Sequence, residues 1–361
     1  MYSESDLEAA VAAGVMSGAQ ADALRSFVAQ GRQAPAVDEE HFRLITGFND
    51  IFVAIAATIL IIAVGWIGNS LPPQIEQGGP SPFMGILIAA TAWGLAEFFT
   101  RQRRMALPSI LLLLAFVGGV FAAVGFTLVV MVGPETMRDS NSAASLVAAG
   151  AAAVAVGATW LHWRRFRVPI TIAAGAAAAA GLILALIASA IGRSDFAPDL
   201  LLGFTLALGI GVFLFAMWWD ASDPRRETRR SDVAFWLHLL AAPMIVHPVF
   251  ALLGLTDGNA AVAETILVLL LYVALGITAL AIDRRALLVS ALAYVLFALS
   301  SLLREFGAVE LSVAFTALII GSALLLLSAF WHTARRVIVT ALPATLQGKL
   351  PVLDRPAVVG A

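Results

Sequence analysis

From residue 50 onward the chain is a succession of apolar runs of about 18–25 residues, the length a helix needs to cross the hydrocarbon of a bilayer. Ten are placed, at 51–68, 83–100, 108–132, 143–162, 168–192, 199–219, 233–255, 260–282, 286–303 and 310–331. A backbone in hydrocarbon has no water to bond to, so such runs are helices rather than strands of an open sheet. Only 13% of the residues are charged and 60% are apolar, with a mean hydropathy of +0.92. A soluble domain carries about 25% charged residues, and this composition would expose far more apolar surface than water tolerates. The predicted fold class is therefore all-α: a polytopic transmembrane helical bundle of ten spans. There are no cysteines, which excludes disulfides, thiolate metal sites and thiol nucleophiles.

Three regions are expected: a cytoplasmic helical hairpin with a lead-in helix (1–49), the ten-span domain (50–331) and a cytoplasmic tail (332–361). In the first, Ser3 caps a short helix through Leu7 and Val11 that stops at Gly14, a residue suited to the position after a helix end. Ser17-Gly18-Ala19-Gln20 reads as a capping box opening a second helix, which ends at Gly31. A third, from Asp38 through Ile45, leads into the first span. Only Arg25 and Arg32 are basic in the hairpin, too few for a phosphate footprint, so no nucleic acid is expected and residues 1–35 read as a module that docks a protein partner or packs on itself. No basic n-region and apolar h-region precede residue 45, so the first span is expected to serve as an uncleaved insertion signal.

Basic residues set the orientation. With the N-terminus inside, 19 of the 22 fall on the inner side, in clusters at 25–43, 101–104, 164–167, 225–230, 284–285 and 335–355, while only Arg138, Arg193 and Arg304 fall outside. Both termini are thus expected in the cytoplasm, the protein lying in the bacterial inner membrane. Arg-Arg pairs recur at 103, 164, 225 and 284, separated by 61, 61 and 59 residues. Either a two-helix hairpin has been duplicated, or hairpins of similar length obey the same charge rule. The spans at 143–162 and 168–192 are rich in alanine and glycine, and Gly150, Gly157, Gly175 and Gly181 mark a tight helix pair or the interface of a homo-oligomer. Beyond residue 331, Val337-Ile338-Val339 suits the inner leaflet, and Pro343, Pro351 and Pro356 argue against one long helix.

Residues 233–255 carry the candidate polar core. Ionisable groups inside a span are costly and face protein or water. His247 is read as the deepest of them, a proton-relay or substrate-contact histidine, or else a core histidine bonded to a neighbouring hydroxyl. Pro248 and Pro243 remove amide donors and crowd the carbonyls of Met244 and Leu239. His238, nine residues before His247, points to the opposite face of a straight helix, so the two are no metal pair. Glu264 opens the next span, where the helix dipole favours a carboxylate. Glu97 pairs with Arg101 at i,i+4 and is read as structural. There is no GxxxxGK[ST] loop, no GxSxG elbow and no HExxH, so no catalytic set, metal or cofactor is expected.

The pattern Leu7…Ala13-Gly14-Val15-Met16-Ser17…Gln20…Leu24, followed by many spans, resembles a family of uncharacterised bacterial multi-pass membrane proteins, as does the stretch from Phe235 to His247. The resemblance implies an inner-membrane location, covers about 20 residues by motif, and carries over no catalytic residue. The expected function is a secondary carrier or channel for a small solute or proton. The alternative is a non-transporting scaffold or regulatory protein acting through the hairpin and the small-residue helices.

Overall fold

The computed structural model describes residues 4–31, 48–76, 78–192, 197–224, 226, 228–254, 262–285, much of 287–299, 312–348 and 350–353. All regular structure among the described residues is helical. Two short helices, α1 (Glu4–Ala12) and α2 (Gly18–Gly31), form the N-terminal hairpin. Its capping box forms as the sequence requires: the Gln20 amide donates to Ser17 Oγ at 3.2 Å and the Ser17 amide to Gln20 Oε1 at 2.8 Å. Gly14 takes φ +71°, closing α1. The expected helix at 38–45, and Ser3, the expected cap of α1, lie outside the described residues.

Among the described residues seven helices are long and apolar enough to cross a membrane, and an eighth crossing arises if a bent pair counts as one span. They are α3 (Phe48–Asn69), α4 (Pro82–Ala96, continued by a π-helical turn Glu97–Gln102), α5 (Ala106–Val132), α7 (Asn141–Phe166), α8 (Ile170–Ile191), α9 (Ala197–Ala221) and α10 (Arg229–Leu252). A six-residue helix, α6 (Pro134–Asp139), links α5 to α7. Next come α11 (Val262–Ile282), α12 (Ser312–Ala329), α13 (Trp331–Ala341) and the short α14 (Ala344–Gln347). The expected spans at 51–282 thus match helices to within a few residues. Much of 286–303 lies outside the described residues; the expected span at 310–331 is met by α12, which stops at Ala329, and beyond it the chain bends by 73° into α13.

The tightest packing joins the helices of three hairpins, α4 with α5, α7 with α8 and α9 with α10; α5 rests on α7, and α8 on both α9 and α10. Small residues set these distances. A Cβ on Gly85 would stand 2.2 Å from the Ala123 amide nitrogen and 2.5 Å from the Gly119 carbonyl, so only glycine lets α4 and α5 cross there. Gly209 similarly meets the Met244 backbone at 2.9 Å. Of the four glycines in the small-residue spans, Gly150 lies against Leu128 and Gly175 against Thr159, whereas Gly157 and Gly181 face open space. The most deeply packed span is α10. Ala234, Leu237, Ala241 and Ala242 form a buried stripe at helical spacing, continued by Val246 and Phe250.

Each hairpin turns through one left-handed residue. Arg104, Arg167, Arg226 and Asp283 have φ of 52°, 52°, 54° and 57°, and they are the only non-glycine residues with positive φ among those described. That conformation is uncommon outside glycine, and a charge rule alone does not demand it.

Gly85→Ala is expected to force α4 from α5 and destabilise the bundle by about 1–3 kcal/mol, whereas Gly181→Ala has room and should be neutral or slightly stabilising. Thermal unfolding of the purified protein in detergent would compare them.

Candidate functional site

The ionisable residues gather where the arginine-bearing ends of α9 and α10 meet the turn after α11. Asp220, the penultimate residue of α9, is 1% exposed; His238, in the third turn of α10, is fully buried; Arg284 is 2% exposed. His238 Nε2 lies 3.0 Å from Asp220 Oδ2, and Arg284 Nη2 donates to Asp220 Oδ1 at 2.6 Å. Arg284 Nη2 also donates to the Ser231 carbonyl at 3.1 Å, tying the turn to α10. Because the carboxylate accepts, neutral His238 carries its proton on Nε2. Its Nδ1 is left without a hydrogen-bond partner among the described residues, and the imidazole packs at 69° to the Phe213 ring with the ring centres 5.2 Å apart.

Local sequence prepares this arrangement. Thr228 caps α10 by accepting from the Arg230 amide at 3.2 Å, and its own hydroxyl and amide donate to Asp223 at 2.7 and 2.9 Å. That cap fixes where α10 begins and so which residue falls opposite Asp220. The left-handed Arg226 then reaches back, donating to Asp283 Oδ2 at 2.9 Å and to the Asp283 carbonyl at 3.1 Å.

Asp283 is a second hub. Trp331 Nε1 donates to its Oδ1 at 2.7 Å, and Arg335 Nε stands 3.7 Å from the same oxygen. Arg335, buried on α13, also donates to the carbonyls of Pro351 and Val352 at 2.5 and 3.2 Å. The Val352 amide donates to the Pro224 carbonyl at 3.3 Å. The 73° bend therefore lays α13 across the helix ends, with the strap 350–352 over the α9–α10 turn. Burial acts to raise the Asp283 carboxyl, but Arg226, Arg335 and the Trp331 hydrogen bond outweigh it and hold the carboxyl below its ordinary range.

The candidates from sequence fall differently. His238 joins the cluster. His247 lies in the last two turns of α10 rather than at its midpoint, on the exposed face opposite His238, as nine residues of helix require. Pro243 is exposed and Pro248 buried, and α10 runs through both without ending. Glu264 is in the first turn of α11, and its side chain lies outside the described residues. Glu97 pairs with Arg101 at 3.4 Å but more closely with Arg165, at 2.7 and 2.8 Å. Asp220, Asp283 and Arg335 were not candidates, and Arg284 entered only as a topological marker. One signal for Asp220 was available: an acid ending the apolar run Phe213–Trp219, six residues before an arginine turn.

A second buried histidine, His162, bonds Thr171 Oγ1 through Nδ1 at 3.2 Å among Trp93, Phe116 and Phe166. No group of three or more acidic or histidine side chains is spaced to hold a metal ion among the described residues. The chain matches no family model, no curated protein and no solved structure, so its chemistry is read from its own geometry.

Two outcomes follow. Asp220→Ala removes the buried carboxylate that both Arg284 and His238 bond and should destabilise the fold by about 3–5 kcal/mol, read as a drop in melting temperature. The lowered carboxyl of Asp283 contributes stability that is present above its unfolded pKa of about 4 and is lost as pH falls through the folded value. The hydrogen-exchange protection of α13 and the strap, taken relative to the intrinsic exchange rate at each pH, should be constant from about pH 7 to about pH 5 and fall below about pH 4; in Asp283→Asn it should be low throughout.

Proposed function

We propose that this protein is a secondary carrier or channel of the bacterial inner membrane, moving a small solute or proton, with Asp220, His238 and Arg284 as its proton-handling centre. The observation that carries the reading is the burial of a carboxylate, an imidazole and a guanidinium in mutual contact between apolar helices. Three ionisable groups there are costly to desolvate, and such groups mark ion and proton pathways in membrane proteins. The chemistry is suited to coupling. A proton on Asp220 removes the negative charge that holds both Arg284 and His238, which loosens the turn after α11 from the α9–α10 hairpin. A proton arriving at His238 Nδ1, the nitrogen without a partner, makes the imidazole a cation beside Arg284 and drives the same separation. Asp283, Trp331 and Arg335 then act as a latch, because they join that turn to α13 and the strap.

Ten spans, with both termini cytoplasmic, complete the proposed topology, supported by the 19 basic residues grouped at one end. His247, Pro243, Pro248 and Glu264 belong to the same pathway in this reading. His247 contributes from the exposed face of α10. A second reading has its own support: α2 exposes Phe27, and Val15 between α1 and α2 is also exposed, apolar surface suited to a protein partner of a regulatory scaffold.

Purified protein in liposomes enclosing a pH-sensitive dye, under an imposed pH gradient, would test the carrier reading. Proton flux above that of empty liposomes is expected. His238→Gln, chosen because it keeps a hydrogen-bonding side chain, should reduce the flux by about tenfold or more while eluting as a folded species. No flux from the wild-type protein, with or without candidate solutes, would overturn the carrier reading in favour of the scaffold.

A further inference from the structure

The arginine-bearing turns of the chain have two fates. In the second half Arg284 and Arg335 are buried and Arg226 is nearly so, and the carboxylates of Asp220 and Asp283 pair with them. In the first half the α4–α5 and α7–α8 turns present Arg101, Arg103, Arg104, Arg164, Arg165 and Arg167, all exposed. The two turns form one surface, because Glu97 on the π-helical turn receives Arg165 from α7 in a two-pronged pair. Glu97 is also the one carboxylate seen paired with any of the six among the described residues. Six guanidinium groups thus meet a single acid.

We propose that this surface binds the phosphate headgroup of anionic phospholipids, an interaction independent of whether the protein transports anything. Two observations beyond charge point to lipid. The Arg164 guanidinium lies 4.9 Å from the ring centre of Trp160, and that of Arg103 lies 5.4 Å from Phe98. Trp160 is 58% exposed and Phe98 42%, and both sit at the ends of apolar helices, where aromatic side chains mark the level of the headgroups. Stacking on those rings holds the two guanidiniums at that level, with their N–H forks free to chelate phosphate oxygens. The left-handed Arg104 and Arg167 turn the backbone at corresponding points of the two hairpins. Neither has an acidic partner among the described residues. Basic pockets between spans at one leaflet are sites of this kind.

The test uses the full-length protein in a neutral detergent, with phosphatidylglycerol or phosphatidylcholine added and bound lipid counted by native mass spectrometry. Phosphatidylglycerol should be retained in preference to phosphatidylcholine. Retention should fall about tenfold or more in the variant carrying Arg103→Gln, Arg104→Gln, Arg164→Gln and Arg167→Gln. It should fall less when the same four arginines become lysine, which keeps the charge and loses the fork, and it should persist in Arg229→Gln with Arg230→Gln, which removes two exposed arginines of the other half. The lysine variant guards against a loss that reflects misfolding. Glycerol 3-phosphate or inorganic phosphate, at the same concentration, should neither displace the lipid nor stabilise the protein as it does. Equal retention of the two lipids, equal retention by the glutamine variant, or full reproduction of the effect by inorganic phosphate would each overturn the proposal, the last by showing a site for free anions.

Discussion

A charge moved out of water must find an opposite charge or hydrogen-bonding partners that replace its hydration, and in this bundle that requirement is met at one end. Asp220 is satisfied by Arg284 and His238 together. Asp283 is satisfied by Arg226 and Trp331, with Arg335 beside it. Apart from the Asp220–His238 pair, these contacts join residues 48 to 64 positions apart in the chain. Removing them would leave α9–α10, the turn after α11 and α13 held by apolar contact alone. That contact is weak in directing helices in a bilayer, since lipid tails are as apolar as leucine. Polar pairs at the helix ends therefore do the specifying, and glycines such as Gly85 and Gly209 set how closely the shafts approach.

The recurring turn ties architecture to function. Four turns at near-constant spacing place a left-handed residue beside arginine, yet the arginines meet different surroundings. Where the neighbouring segment supplies aspartate, Arg284 and Arg335 are buried, Arg226 nearly so, and they lock the fold; where it supplies one glutamate for six of them they stay at the surface. The same element gives a latch in one half and a docking surface for anionic headgroups in the other.

His238 and His247 show how much of the site was legible. The helical run, its register and the opposition of the two imidazoles all follow from 3.6 residues per turn and are found as expected. Which imidazole is buried does not follow. Both lie in an apolar run, and the stripe of small residues that seats α10 on α9 favours the face of Ala234, Ala241 and Ala242, which is the face of His238. That signal lay in residue size rather than polarity. Asp220 was overlooked for a related reason: an acid at a span end reads as an interfacial residue until a partner from a distant loop covers it.

The sequence by itself determined the all-helical character, the positions of seven membrane-length helices, the capping box at Ser17 and Gln20, and the grouping of arginine at one end of the bundle. Each of these depends on hydrophobicity, turn chemistry or hydrogen bonding within a few residues or a single run. The tertiary structure alone decided that Asp220 meets Arg284 and His238, that the chain bends by 73° after the last apolar run to lay α13 across the helix ends, and that Asp283 gathers three side chains. Those pairings depend on which helix ends are neighbours in space, and helix packing, not local composition, sets that.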